Sequence, residues 1–256
     1  QACTIEDWLK VFEDATGRDL SQFKRWYEQA GTPRLSVEES FEGGAYTLTF
    51  TQHTPPTPGE AEKEPLVLPI AVGLLSPNGD EVVPTRVLEM TEARQSFTFE
   101  GLASKPVPSI LRGFSAPVVL ERAADRDERA FLMAHDTDPF NKWEAGRALA
   151  RESLIATVRT GAAPDAAWLE GVAAILRDES FEPAFRAQML ALPTQSELAQ
   201  ALADRGETPD PDAIWGAVEG LKEALALQLS DLAPALYDAM RVAGPYVPDA
   251  EQSGRR

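Results

Sequence analysis

Residues 17–33 read GRDLSQFKRWYEQAGTP, and this stretch marks the point where a helical pattern gives way to a β-rich one. Asp19 suits an N-cap, because its carboxylate can accept hydrogen bonds from the free N–H groups of a first helical turn. Apolar side chains follow at helical spacing, at positions 20, 23, 27 and 30. Gly31 and Pro33 then supply a helix stop. The stretch therefore predicts a capped amphipathic helix at a domain junction.

A second amphipathic pattern precedes this helix. Thr4 and Asp7 match a capping box, and Gly17 closes a helix whose apolar residues stand at positions 5, 8, 9 and 12. Residues 1–32 are therefore predicted to form two short helices. Their aromatic side chains, at positions 8, 12, 23, 26 and 27, are interpreted as interface and core and not as a ligand cage. Two short helices cannot bury such faces alone, so we expect them to dock on another domain.

Residues 33–122 carry the alternation and the turns of strands. Polar and apolar residues alternate over Tyr46–Thr51, which is the period of a half-buried strand. Glu42-Gly43-Gly44 predicts a hairpin turn after a strand at 35–37, and Pro77-Asn78-Gly79-Asp80 predicts another. Further strands are predicted at 66–75, with an edge or bulge at Pro69, and at 96–99, 109–114 and 118–121. The region is predicted to be an immunoglobulin-like antiparallel β-sandwich.

Residues 123–256 are rich in Ala and Leu and contain repeated helix boundaries. Asp138-Pro139 combines an N-cap with a proline at the first helical position, and Thr194 and Glu197 form a capping box. Pro234 is predicted to kink a helix or to separate two. In the helix before it, the residues expected to face inward are those at positions 214, 215, 218, 221, 225 and 229. This pattern predicts an α-helical array, although no convincing internal sequence repeat accompanies it.

Composition disfavours several classes of partner. The chain has 256 residues, which is the length of about two domains. Its formal net charge of −17 argues against nucleic acid and anionic membranes, because both are polyanions. The sequence contains no apolar run long enough to predict a membrane span. Cys3 is the single cysteine, which excludes an internal disulfide and fits a reducing compartment, so a cytoplasmic location is expected.

Four blocks of sequence carry a family resemblance. They are TQHTPPTPG at 51–59, KEPL at 63–66, PVPSILRGFSAPV at 106–118 and DPFNKWEA at 138–145. In this order they are similar to bacterial aminopeptidase N, the zinc-dependent alanyl aminopeptidases of the gluzincin class. The stretch at 17–33 resembles the end of that family's catalytic domain, and the whole resemblance covers most of residues 1–245.

The motifs on which this family's chemistry rests are absent from the sequence. The family binds zinc through H-E-x-x-H and a downstream Glu, uses a Tyr to stabilise the tetrahedral intermediate, and grips the substrate's amino terminus with Gly-x-Met-Glu-Asn. The resemblance therefore implies a fragment of a larger enzyme, taken from beyond the active site. Residues 1–32 would be a helical tail of the catalytic domain, 33–122 a β-sandwich connector, and 123–256 the start of a truncated C-terminal helical domain.

No catalytic, metal-binding or cofactor-binding residue is predicted within this chain. His135, Asp136 and Asp138 are close in sequence, but zinc needs three or four ligands, usually with His or Cys supplying most of them. These three residues are better explained as loop and N-cap residues. His53, at the start of the Pro-rich loop, is interpreted as a hydrogen-bonded or exposed side chain. Cys3 has no activating partner nearby in the sequence.

Two functions are left open by the sequence. The first is a non-catalytic part of a zinc aminopeptidase that acts on peptides, with zinc held elsewhere in the parent enzyme. Its partners would be the missing catalytic and C-terminal domains of the same polypeptide, and the sandwich would position a helical cap over the active site. The alternative is a stand-alone β-sandwich and helical module that binds a protein partner through its aromatic surface.

Overall fold

The chain divides into two compact units, Gln1–Ala123 and Ala124–Arg256. The structure is a computed structural model, and it describes residues 3–241, 244, 245, 247 and 248. The first unit begins with helices and continues as strands, and the second is helical. The predicted α+β order of a short helical segment, a β-sandwich and an α-helical array is therefore confirmed.

The first unit consists of two helices followed by two β-sheets. Its helices are α1 (Ile5–Thr16) and α2 (Arg25–Glu28). Its strands are β1 (Arg34–Glu42), β2 (Ala45–His53), β3 (Leu68–Leu75), β4 (Glu81–Met90), β5 (Arg94–Phe99), β6 (Val107–Ile110) and β7 (Val119–Glu121). The sheet orders are β5-β2-β1-β7 and β4-β3-β6. Strand pairs are antiparallel except β1 and β7, which are parallel.

The predicted alternation places a single face of β2 in the core of the sandwich. Tyr46, Leu48 and Phe50 are fully buried, and the residues between them are half-buried. The turn before β2 is confirmed as well. Gly43 and Gly44 have φ values of 58° and 81°, so both occupy the left-handed region that a two-residue hairpin with the native twist requires. Turn and alternation together fix the register of β1 against β2.

Three elements of this unit differ from the sequence prediction. The helix predicted within 17–33 is reduced to the single turn of α2, and Asp19 instead accepts hydrogen bonds from the backbone N–H and the hydroxyl of Ser21. The strand predicted at 109–114 stops at Ile110, because Leu111 has a left-handed φ of 61°. Strand β4 was not predicted, since most of its side chains are exposed and lack a clean alternation.

The helical segment docks on the sandwich through side-chain donors. Gln22 Nε2 donates to the carbonyl of Thr91 at 2.6 Å, and Arg25 Nη1 donates to that of Pro65 at 2.6 Å. Trp26 Nε1 donates to the carbonyl of Val67 at 2.9 Å. These three donors fix the segment around α2 to one surface of the sandwich.

A buried cation organises the three-stranded sheet. Arg112 is 3% exposed and donates to Ser109 Oγ at 2.8 Å and Thr85 Oγ1 at 2.9 Å, and it also bonds the carboxylate of Glu81. Its guanidinium lies directly over Gly73 of β3, where any Cβ would overlap it. A buried charge is tolerated only when it is paired and hydrogen-bonded, so this network is a condition of the sheet's packing.

The second unit is an array of helices around one apolar core. Its described helices are α3 (Arg126–His135), α4 (Pro139–Thr160), α5 (Ala166–Arg177), α6 (Pro183–Gln188), α7 (Gln195–Ala203), α8 (Pro211–Gln228) and α9 (Leu232–Met240). The predicted caps are confirmed: Asp138 accepts from the N–H of Asn141, and Thr194 and Glu197 form a reciprocal capping box. Pro234 lies in the first turn of α9, so it follows a break between two helices.

The inward face predicted for α8 needs one correction. Ile214, Val218, Leu221 and Leu225 are buried as expected, but Trp215 is 58% exposed. Successive helical residues are separated by 100°, so Trp215 lies at the border of the buried stripe and the sequence does not decide on which side it falls.

We predict that Gly73→Ala destabilises the sandwich by about 2–4 kcal/mol, because the new methyl group would displace the buried Arg112 guanidinium. Gly216→Ala is the matched control, since its Cβ would meet open space on α8 and should stabilise that helix by up to about 1 kcal/mol. Calorimetric unfolding together with hydrogen exchange of β3 measures both effects. Unchanged exchange of β3 in Gly73→Ala would contradict this account of Arg112.

Candidate functional site

The structure places the candidate ligands of the sequence in separate, structural roles. His135 ends α3, with its ring 4.8 Å from that of Phe131. Asp136 is buried and accepts from the N–H of Asp138, which itself caps α4. His53 is the exposed last residue of β2 and belongs to the other compact unit.

Among the described residues, the remaining thiol and the acidic groups do not assemble into a metal centre. Cys3 is exposed just before the N-cap of α1. Across the part of the chain that the structure describes, no group of three or more His, Cys, Asp or Glu side chains is placed to hold a metal ion. Among the same residues, no helix is both long and apolar enough to cross a bilayer.

Sequence reasoning missed Lys142, a lysine buried within the helical unit. Its Nζ atom donates to the carbonyls of Met133 and Ala134, at 3.0 Å and 2.9 Å, and lies 5.6 Å from the centre of the Phe181 ring. Burial lowers the pKa of this ammonium group, and the carboxylates of Asp136 and Asp178 oppose that shift. Lys142 therefore satisfies carbonyls at the end of α3 that the helix itself leaves unpaired.

A third buried cation, Lys63, holds the Pro-rich loop in place. The Lys63 side chain is 3% exposed and donates to the carbonyl of Ala30 at 3.0 Å and to Thr57 Oγ1 at 2.8 Å. It also forms an ion pair with Glu60. Lys63 thus connects the loop to the segment that follows α2.

A third charge cluster holds the segment that leaves the sandwich. The Glu39 carboxylate accepts from Arg122 Nε at 2.7 Å and from the Tyr46 hydroxyl at 2.8 Å. Burial raises the pKa of Glu39, but the charge of Arg122 and the Tyr46 hydrogen bond outweigh it and hold this pKa below its usual value. The carboxylate is therefore ionised at neutral pH and fixes Arg122 against β1.

Three of the buried polar contacts involve residues of the blocks that carry the family resemblance. Thr57 and Lys63 belong to the loop contact, Arg112 to the three-stranded sheet, and Lys142 to the end of α3. The available sequence signal for these buried contacts was a lysine or arginine placed among apolar and proline residues. It was not decisive, because solvated lysines and arginines occur in similar surroundings.

The helical unit also contains an apolar groove that the sequence did not predict. It has a volume of about 530 Å³ and lies between the α6–α7 connection, α8 and the start of α9. Its apolar lining includes Leu190, Leu192, Leu225, Leu229 and Ala233. Two of its polar groups are engaged elsewhere: Lys222 pairs with Glu219, and Thr194 belongs to a capping box. This lining favours an apolar protein surface over a small polar ligand, which needs polar groups to orient it.

Two family models match the two units. Residues 31–123 match a domain of unknown function (DUF3458) with an Ig-like fold. Residues 126–256 match a domain of unknown function (DUF3458_C) described as ARM repeats. The helical array is thus similar to a repeat architecture, although the sequence shows no convincing internal repeat.

Curated relatives match the chain along its length. Aminopeptidase N of Caulobacter vibrioides is 40% identical over 262 residues, which are 100% of this chain and 30% of the relative. Aminopeptidase N of Escherichia coli is 36% identical over 93% of this chain and 28% of the relative. That of Haemophilus influenzae is 30% identical over 94% and 29%. The chain therefore spans about 30% of the length of these relatives, and the resemblance to aminopeptidase N is confirmed.

A solved structure gives the same result. Legionella pneumophila aminopeptidase A, determined in complex with aspartic acid, superposes with a TM-score of 0.79 and 26% sequence identity. The match covers 99% of this chain and 30% of that chain.

We predict that Lys142→Met destabilises the helical unit by about 1–3 kcal/mol, because the carbonyls of Met133 and Ala134 lose their donor in a buried place. Lys222→Met is the control, since that side chain is 56% exposed and its loss should change stability by no more than about 0.5 kcal/mol. The two variants are compared by urea unfolding, with the circular dichroism of the helices as the signal. Equal stability of the two variants would refute the role given to Lys142.

We also predict a pH dependence at the start of α7. The backbone N–H of Thr194, then Arg147 and the Thr194 hydroxyl, lower the pKa of Glu197 to about 2. Because this folded pKa is below the ordinary value of 4.5, the stabilisation is complete above about pH 4.5 and is lost as the pH falls toward 2. Since the side chain is nearly half exposed, the loss is about 1 kcal/mol after solvent screening.

Glu197→Gln isolates this charge, because glutamine still fits the third position of a capping box. Hydrogen exchange of α7 in the native chain should accelerate between pH 5 and pH 3, once the intrinsic pH dependence of exchange is corrected. The variant should show a much smaller acceleration. The same acceleration in both proteins would exclude Glu197 as the titrating group.

Proposed function

The chain belongs to the DUF3458_C family of ARM-repeat domains, and we propose that it is a non-catalytic, structural part of a zinc-dependent aminopeptidase that removes N-terminal residues from peptides. One observation carries this proposal. The whole chain aligns with aminopeptidase N of C. vibrioides at 40% identity, yet it spans only 30% of that relative. Most of the length that accompanies such a segment in its relatives therefore lies outside it.

The arrangement of polar groups in the chain supports a structural role. Lys63, Arg112 and Lys142 are buried, and their donors bind backbone carbonyls or side-chain oxygens of neighbouring segments. Each of these contacts joins two segments of the chain. They rigidify the loop, the sheet and the helix end in which they lie, as a supporting part of an enzyme requires.

The zinc implied by this activity does not fit the residues described here. His53 and His135 lie in different compact units, and the described residues provide no set of three ligands for either histidine. Zinc needs such a set before it can act on a substrate. We therefore expect the metal ligands, the catalytic residues and the peptide-binding residues in another part of the polypeptide.

The proposed role of the sandwich is to connect the catalytic domain to the helical domain, which would limit access to the active site. The partners are then the catalytic domain and the remaining helical domain of the same polypeptide. Side-chain bonds from Gln22, Arg25 and Trp26 support the first part of this role, because they fix the helical segment to the sandwich. The single cysteine supports a cytoplasmic location.

We predict that the purified 256-residue chain does not hydrolyse alanine p-nitroanilide with zinc present, whereas the protein encoded by the uninterrupted reading frame does. The reason is that the chain supplies structure and not zinc ligands. Release of nitroaniline measures both activities, and a chelator is expected to abolish that of the longer protein. Hydrolysis by the 256-residue chain that survives repurification and disappears on chelation would refute the proposal.

The reading frame itself distinguishes the proposed enzyme part from the alternative, a stand-alone interaction module. The exposed aromatic residues Trp8 and Phe12 of α1 favour an interaction surface in either case. The proposed enzyme requires H-E-x-x-H upstream of residue 1 in the same frame. A start codon adjoining residue 1 and a stop codon after residue 256 would instead establish the module.

A further inference from the structure

Strand β5 is the edge of the sandwich that is least protected against pairing with another strand. The described sheets end at β4, β5, β6 and β7. Strand β4 contains Pro84 and pairs with β3 through register shifts, β6 has four residues and contains Pro108, and β7 has three residues. Prolines, bulges and short length keep foreign strands away from an edge. Strand β5 has six residues, Arg94–Phe99, and none of these three features.

The register of β5 against β2 shows which of its backbone groups point outward. The N–H of Gln52 donates to the carbonyl of Ala93 at 2.9 Å, one step beyond the last listed pair of the two strands. Hydrogen-bonded and non-hydrogen-bonded pairs alternate in an antiparallel ladder. The odd-numbered residues of β5 therefore bond to β2, whereas Ser96 and Thr98 direct their backbone N–H and C=O groups away from it. No described strand lies on that side.

The side chains of β5 already form cross-strand pairs with β2. On the outer face of the sheet, the hydroxyl oxygens of Ser96 and Thr49 are 2.8 Å apart, and those of Thr98 and Thr47 are 2.9 Å apart. On the inner face, the half-buried ring of Phe97 meets that of Phe50 edge-on at 6.1 Å. Hydroxyl pairs and aromatic pairs of this kind stabilise neighbouring strands.

We infer that β5 pairs with β5 of a second copy of this chain, antiparallel and around a two-fold axis at Phe97. In this register the two Phe97 side chains lie opposite each other on the inner face. Ser96 lies opposite Thr98 of the second copy, and Arg94 lies opposite Glu100 of the second copy. The symmetry makes the hydroxyl pair and the ion pair occur twice. The outward N–H and C=O groups of Ser96 and Thr98 form the new ladder.

The charges of β5 select both the occupant and the register. Arg94 and the exposed Glu100 stand at opposite ends of the strand, so an antiparallel copy brings opposite charges together at each end. Sliding the copies by two residues would remove this match. Within one chain Arg94 pairs with Glu38 at 2.8 Å, but both side chains are more than half exposed. Such a pair holds Arg94 weakly, so its guanidinium can turn to Glu100 of the second copy.

Pairing through β5 does not depend on the proposed function, because it needs neither zinc nor additional sequence. Two six-residue strands cover less area than a standard protein interface, so the association is expected to be weak and transient. The competing occupant is an extended segment of another polypeptide that adds a strand to this edge. That occupant would leave the chain itself monomeric.

Sedimentation equilibrium tests the association in the 256-residue chain carrying Cys3→Ser. Between about 10 µM and about 1 mM chain, we expect the apparent mass to rise from 27.9 kDa toward twice that value. Glu100→Lys places a cation opposite Arg94 of the second copy and should weaken association by about tenfold. Glu62→Lys is the matched control, because it makes the same charge change at an exposed site in the Pro-rich loop and should alter association by no more than about twofold.

Thr98→Pro tests the new ladder without a change of charge. Proline removes the outward N–H of Thr98 and leaves the bonds of its odd-numbered neighbours to β2, so the sandwich should fold while association is lost. Hydrogen exchange of β2 checks that the sheet is intact in this variant. Glu100→Lys, which changes an exposed side chain beyond the strand, provides the result if Thr98→Pro does not fold.

Mixed disulfides test the register. Chains carrying Ser96→Cys and chains carrying Thr98→Cys, both with Cys3→Ser, are mixed and oxidised with glutathione disulfide. Directly opposed residues of this kind have Cα atoms about 5.5 Å apart, which a disulfide can span, whereas identical residues would be diagonal neighbours about 7–8 Å apart. We therefore expect the Ser96→Cys and Thr98→Cys chains to link to each other more than to themselves.

Three results would overturn the inference. One is an apparent mass that stays at 27.9 kDa over the whole concentration range, as the competing occupant requires. Another is association that Glu100→Lys weakens no more than Glu62→Lys does, which would assign it to a different surface. The last is a mixture in which disulfides between identical chains are as frequent as mixed ones.

Discussion

Buried cations that bind oxygens of neighbouring segments are the constraint on which this structure depends. A charged side chain loses its hydration when it is buried, so it persists only where hydrogen-bond acceptors replace the water. Lys63 and Lys142 meet this condition at backbone carbonyls that regular secondary structure leaves unpaired, and Arg112 meets it at side-chain oxygens of β4 and β6. The apolar core can then close around a loop, a sheet corner and a helix end.

The same contacts involve residues of the blocks that carry the family resemblance. The blocks at 51–59, 63–66, 106–118 and 138–145 supply the cations, their acceptors or the caps beside them. Such groups cannot be exchanged one at a time, because removing one partner leaves the other buried and unpaired. The similarity to aminopeptidase N in this segment is therefore one of shared architecture, and it is compatible with chemistry carried out by another part of a longer polypeptide.

Exposed apolar surface is the second property that the two units share. In the first unit, α1 buries Leu9 but leaves Trp8 and Phe12 largely exposed. In the second, no residue of α9 is buried among the described part of the chain. Both surfaces lie on helices whose apolar residues recur at regular spacing, so neither surface results from a poorly formed helix. They are the faces through which this segment is expected to meet other structured parts.

Local signals in the sequence determined the caps of α1, α4 and α7 and the hairpin turn before β2, because each depends on residues within a few positions of one another. Thr194 with Glu197 and Gly43 with Gly44 are examples, and the alternation of β2 gave its buried face. Tertiary structure alone decided the short α2, the exposure of Trp215 and the burial of Lys142. Those outcomes depend on which carbonyl or helix from a distant part of the chain lies opposite the residue. The spacing of residues along the chain does not specify that contact.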